Sequence, residues 1–217
     1  MSAVATRSNG FYVSLVSGLT ATWLESWTMS NNTDGLYIWG AQAEVGAYTT
    51  SYIPTNGAAS TRLQDIANNS GNSTLINSTE GVLYAEIAAL ANDGTYRIFS
   101  LSDGTTNERV YIQYTSASNT VSAVVKKGGV TQANKGYVLS DETDFAKVAL
   151  KFKQNDFALW VNGIEVGTYT SGNTPTGLSE LAFDDADGGN KFYGKTKALA
   201  VFKEALTDTE LQALTKI

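Results

Sequence analysis

The chain of 217 residues contains no cysteine and no histidine. The first absence excludes disulfides and thiolate metal sites. The second removes Ser-His-Asp and Cys-His nucleophile systems, imidazole zinc sites and imidazole acid–base catalysis together. Proline occurs only at Pro54 and Pro175, and charged residues make up 17% of the chain. The opening MSAVATRSNG has no apolar signal core, and no run approaches the length of a membrane span. Neither an ordinary signal peptide nor membrane insertion is therefore expected. The net charge of −6 and the pI near 4.7 would repel a phosphate backbone, which argues against nucleic acid as a partner. Lys126 and Lys127 form an adjacent basic pair, read as a solvated strand end.

What the chain does have is apolar residues at 42%, with abundant Thr, Ser, Asn and Gly. Short strands joined by polar turns are the expected product, and a packed core is within reach. From Phe11 to Ala47 three strand-like pieces follow one another: FYVSLV, TWLESWTM and GLYIWGAQAEV. Three strands alone make a poor sandwich, because one sheet needs another to cover its apolar face. Trp23, Trp27 and Trp39 in these pieces are expected to pack there. Residues 49–79 are a polar connector in which Pro54 holds Ile53 extended. Asn31, Asn68, Asn72 and Asn77 begin N-x-Ser/Thr sequons, read as connector and turn polarity rather than glycosylation.

From residue 80 onward strands come at regular spacing: GVLYAEIAAL, TYRIFSLS, ERVYIQYT, TVSAVVKK, FAKVALKF, FALWVNG, IEVGTYT, LSELAFD and KTKALAVFK. Val110, Ile112 and Tyr114 alternate with Tyr111 and Gln113, and Val148, Leu150 and Phe152 alternate with Ala149, Lys151 and Lys153. That period of two gives one face to a core. Asn162-Gly163 between LWV and IEV signals a hairpin whose two turn residues need positive φ. The fold expected is all-β, an antiparallel two-sheet sandwich. The chain ends in a helix: Thr207 and Glu210 form a capping box, Leu206 and Leu211 a hydrophobic staple, and Leu211 and Leu214 a face that must rest on the sandwich.

Two groups of candidate site residues stand out. Trp160, Tyr111, Tyr114, Tyr137 and Tyr169 lie on or beside the strands and could offer flat rings to a sugar. Trp160 alternates with Leu159 and Val161, which puts it opposite the core on a face expected to be exposed. Asp184, Asp185, Asp187 and Asn190 in DDADGGN are hard oxygen donors on a flexible loop, the best candidates for calcium. The spacing begins like an EF-hand loop but lacks the later glutamate, so an acidic turn is the competing reading.

Several of these stretches resemble known families. FYGKTKALAVFKEALTDTELQALT at 192–215, FALWVNGIEVGTY at 157–169 and EGVLYAEIAAL at 80–90 resemble concanavalin A-like (laminin-G-like) jelly rolls. IWGAQAEVGAYTTSYIPT at 38–55, with TRLQD at 61–65, resembles a connector common in bacteriophage tail and virion proteins, where it closes a carbohydrate-binding-module-like sandwich. The resemblance implies an organisation of closing strands of such a sandwich over 1–48, a connector over 49–79 and a jelly roll over 80–217. The sandwich's beginning would then lie upstream of Met1. It also implies a non-enzymatic head fibre, tail fibre or capsid decoration on the virion surface, trimeric, touching other virion proteins and the surface glycans of a bacterial host. Rim calcium is implied by the laminin-G-like kinship. Jelly-roll glycosidases carry an E-x-D-x-x-E strand, and lyases on this fold need histidine; this chain has neither. A purely structural virion domain is the alternative, and a polysaccharide-degrading enzyme or its binding module a more distant one.

Overall fold

The computed structural model describes residues 52–54, 57, 58, 60 and 70–217, so the three N-terminal strand readings and their tryptophans lie outside the described residues. By Cα proximity the chain divides into two units, Met1–Leu63 and Gln64–Ile217. The elements of the second unit in order are β1 (Glu80–Ala89), β2 (Arg97–Ser102), β3 (Arg109–Tyr114), β4 (Thr120–Lys127), β5 (Val130–Val138), β6 (Ala146–Lys153), β7 (Phe157–Val161), β8 (Ile164–Tyr169), β9 (Glu180–Ala182), β10 (Gly194–Phe202) and α1 (Asp208–Thr215).

The strands form two five-stranded sheets, all pairs antiparallel: sheet I in the order β10-β1-β6-β7-β8, and sheet II in the order β5-β4-β3-β2-β9. The expected all-β two-sheet sandwich with a C-terminal helix is therefore what forms. Leu83, Ala85 and Ile87 of β1, Val148, Leu150 and Phe152 of β6, and Phe157 and Leu159 of β7 face Phe99, Leu101, Val110, Ile112 and Tyr114 across a single core. The alternation seen in the sequence fixes which side of each strand enters that core.

One strand departs from the sequence reading. Val130–Val138 is polar at most positions and its residues are largely exposed, because it is an edge strand with one neighbour only. Its hairpin with β4 turns at Gly128 and Gly129, both at positive φ (57° and 77°), as Asn162 and Gly163 do between β7 and β8 (51° and 80°).

The helix forms as read. Thr207 Oγ1 accepts from Glu210 N, and Thr207 N donates to Glu210 Oε2 at 2.8 Å. Leu211, with Leu206 and Leu214 beside it, seats against Val82, Tyr84, Ala149, Ala158 and Trp160 on the outer face of sheet I. Buried Lys151 on the same sheet pins the helix start, its Nζ lying 2.8 Å from Asp156 and 3.6 Å from Asp208. Central strand β1 is thus covered on both faces, which is why its sequence is so nearly continuous in apolar residues.

Candidate functional site

Sheet I gives its outer face to the helix. Sheet II has no helix on its outer face among the described residues, and three rows of side chains run across it. Ser100, Tyr111, Val124 and Asn134 are in register on adjacent strands, Ile98, Gln113, Ser122 and Gly136 form the next row, and Ser102, Arg109 and Lys126 the one on the other side. Ile98, Tyr111 and Val124 make a small buried apolar cluster in the middle, and Ser100, Ser102, Arg109 and Ser122 beside it are buried too, so the accessible part of the face is Gln113, Lys126, Asn134 and Gly136. The guanidinium carbon of Arg109 lies 4.4 Å from the Tyr111 ring centroid, a cation–π stack between strand neighbours on one face. Gln113 Nε2 donates to Ser122 Oγ at 2.9 Å, and Asn134 and Gly136 are exposed.

The rim of this face is the segment 183–191. Ser100 Oγ donates to Asp184 O at 2.9 Å, Ile98 N to Asn190 O at 2.9 Å, and Arg109 Nη1 to Asp185 O at 2.6 Å. Arg109 is only 8% exposed, yet its Nε has no partner among the described residues. A buried, charged donor left unpaired is costly. At the head of β2, Tyr96 is exposed, and its hydroxyl accepts from Ser116 Oγ at 3.4 Å.

The five aromatics picked from the sequence are not brought together. Tyr111 alone of them lies on the outer face of sheet II, and it is nearly covered there; burial pushes its phenol up from the ordinary tyrosine range. Tyr114 is in the core at 0% exposure, its hydroxyl donating to Ile87 O, so no sugar can stack on it. Its phenol too is pushed up, first by burial and then by nearby Glu142. Tyr137 and Tyr169 are half-buried against the core, and Tyr169 donates its hydroxyl to Asn134 O. Trp160 does sit opposite the core, but the face expected to be exposed is sealed by α1, leaving it 6% exposed with Nε1 unpartnered.

The loop residues fare differently. Asp185 Oδ1 accepts from Gly189 N at 2.9 Å and Oδ2 from Asn190 Nδ2 at 2.8 Å, while Asp187 Oδ1 accepts from Gly189 N at 3.1 Å. Asp184 turns away, its Oδ1 taking Ala186 N at 2.8 Å. Burial pushes the Asp185 carboxyl up, but hydrogen bonds from Asp187, Asn190 and Gly189 outweigh it and hold it below the ordinary carboxylate range. The Asp187 carboxyl is raised from the ordinary range, first by its hydrogen bond to Asp185. Two facing carboxylates fall short of the six to eight oxygens calcium takes, and no group of three acidic, thiol or imidazole side chains gathers among the described residues.

Sequence reasoning missed Arg109 and Gln113. The signal was in ERVYIQY, where period two places Arg109, Tyr111 and Gln113 on one face and sends Tyr114 to the other with Val110 and Ile112.

Comparison with known proteins agrees with this architecture. No curated protein sequence matches the chain. Among solved structures, the Ruminococcus gnavus IT-sialidase CBM40 aligns at a TM-score of 0.56 and 17% identity, covering 71% of this chain and 96% of that one. The same module bound to α2,3 sialyllactose aligns at 0.55 and 18%, covering 70% and 95%. A heptameric SAP-like pentraxin from Limulus polyphemus aligns at 0.53 and 15%, covering 69% and 74%. At such identities these likenesses speak to the fold. Residues 69–212 match the Laminin_G_3 family model, and the chain belongs to the concanavalin A-like lectin/glucanases superfamily.

Proposed function

We propose that this chain is a non-enzymatic glycan-binding module whose ligand rests on the outer face of sheet II. The observation that carries this is the polar strip on that face, half-buried Gln113 and Lys126 with exposed Asn134, beside Arg109 stacked on Tyr111; among the described residues no helix covers it. Gln113 and Asn134 add amide donors and acceptors, and Tyr96 adds an exposed ring at the edge. A charged donor beside hydroxyls and amides suits a sugar carrying a carboxylate, and the sialyllactose complex of the Ruminococcus gnavus module supports acidic glycans as the first class to try.

The finer reading is a bacteriophage virion protein, a fibre or decoration that displays this face to glycans of a bacterial host. Its support is the connector-like sequence at 38–55 and 61–65. In a homo-oligomer, a trimer by the same resemblance, weak single sites would be multiplied by avidity of roughly two to four orders of magnitude. Calcium belongs in this reading at the loop of Asp184, Asp185, Asp187 and Asn190.

A glycan array and host-cell binding assay, run in calcium and again in chelator, tests the proposal. Binding to acidic glycans that is lost in Arg109→Lys and Gln113→Ala, with the variants folded, is the expected result. Folded protein that binds no glycan in either condition would leave a structural virion domain in its place. Binding unchanged by chelator would remove calcium from the account without touching the rest.

A further inference from the structure

A cleft of ≈ 430 Å³ opens beside the start of β1, lined by none of the side chains named above on the sheet II face. It forms where the segment leading into β1, the loop before β9 and the residue after β10 meet. Its floor is apolar, made of Ile76 and Leu178, both buried in the core. Its walls are hydroxyls and amides from residues 73–79, with Ser73 exposed at the rim, and its charged group is Lys203. Among the described residues no carboxylate lines it, although the chain as a whole carries −6.

The walls are held in place by bonds between segments distant in sequence. Asn77 Nδ2 donates to Lys203 O at 2.9 Å, Lys203 Nζ donates to Thr74 O, and Leu178 N donates to Ser78 Oγ at 2.9 Å. These bonds leave useful capacity behind. An ammonium has three donors and Thr74 O takes one; Ser78 Oγ, while accepting, still has its own O–H to give. A small apolar floor, hydroxyl walls and one ammonium without a competing carboxylate form a recognisable combination. It matches a ring with a carbon face, several hydroxyls and one negative charge. The volume is within the usual range of small-molecule sites, about 300–1,000 Å³.

We infer that this cleft is a second binding site, separate from the sheet II face, for a small hydroxylated anion of the sugar-acid class. The inference stands whether or not the sheet II face binds glycans, and the test keeps the two apart. The full chain is titrated calorimetrically with D-glucuronate, with D-glucose and with acetate. Glucuronate binds and the other two bind more weakly; Lys203→Met weakens it about tenfold or more, the loss expected for one charged hydrogen bond. Since Lys203 also ties down Thr74, a second variant, Ser73→Trp, fills the cleft from its exposed rim and abolishes binding without removing an internal bond. All titrations are run in the Gln113→Ala background, which removes any contribution of the sheet II face and leaves the signal of the cleft. The inference is overturned if glucuronate does not bind in that background, if glucose binds as tightly, or if Ser73→Trp leaves the signal in place.

Discussion

Replacing Trp160 with alanine separates a covered structural side chain from a sugar platform. Trp160 is 6% exposed on the outer face of sheet I, packed in one cluster with Leu211 of the helix and with Val82, Tyr84, Ala149 and Ala158. Truncation leaves a cavity under α1 that the rigid sheet cannot close, and buried aromatic-to-alanine changes cost about 3–5 kcal/mol. At roughly 2–4 °C per kcal/mol for a domain of this size, Tm falls by about 6–20 °C. Leu211→Ala, at 0% exposure from the helix side, belongs to the same cluster and costs about 2–5 kcal/mol. Because the two side chains share one cavity, the double variant loses less than the sum, by about 0.5–3 kcal/mol. Urea unfolding of the four proteins, followed by tryptophan fluorescence and far-ultraviolet circular dichroism, gives the cycle. Glycan binding of the folded fraction is measured alongside and stays at the wild-type level. A Trp160→Ala protein with unchanged Tm and lost binding would refute the reasoning, since the ring would then have been exposed to ligand.

Three other sites carry outcomes of their own. Glu142 is 1% exposed with Oε2 unpartnered; burial raises its carboxyl above the ordinary range, Arg97 partly offsets this, and Asp93 adds to it. Its protonated form is therefore the one the fold favours, and the stability it contributes is complete below the unfolded-state pKa and lost as pH rises through the folded one. The stability of the native chain minus that of Glu142→Gln should decline as pH rises from about 4 to 7; a flat difference in denaturant titrations contradicts the placement. Gly81→Ala would set a Cβ 2.6 Å from Phe202 O and 2.8 Å from Phe152 Cζ, so β1 and β10 must part. A loss of about 1–3 kcal/mol in urea midpoints is expected, and a neutral result would mean that the two strands yield without cost. Thr207→Ala removes the oxygen that accepts from Glu210 N and costs about 0.5–2 kcal/mol by the same measurement; no change would show that the cap does not hold the helix on sheet I.

How much of the molecule is legible in the sequence differs by element. Val148, Leu150 and Phe152 announce their strand because a sandwich core demands a period of two, and Thr207 with Glu210 announces the helix because capping is local chemistry. Val130–Val138 escapes such a reading because an edge strand has little to bury and so little pattern to show, although Gly128-Gly129 ahead of it is a hairpin turn signal. The side of the sheet on which Trp160 lies is readable from Leu159 and Val161. That α1 covers that side is not, because the meeting of residues some 50 apart in sequence is a tertiary fact. Tyr114 stands beside Tyr111 among the sequence candidates although alternation already separates them, one to the core and one to the outer face. Arg109 looks like an ordinary surface charge until the 183–191 segment folds over it and leaves Nε without a partner among the described residues.

The central claim is that ligand meets this protein on the outer face of sheet II. Amide chemical-shift mapping of the ¹⁵N-labelled chain titrated with 3′-sialyllactose tests it most directly. Shifts are predicted to concentrate at Tyr96, Arg109, Tyr111, Gln113, Ser122 and the Asp184–Asn190 rim, with Trp160 and Leu211 unmoved. Shifts centred on the helix-covered face of sheet I, or no saturable shifts on sheet II, would contradict it.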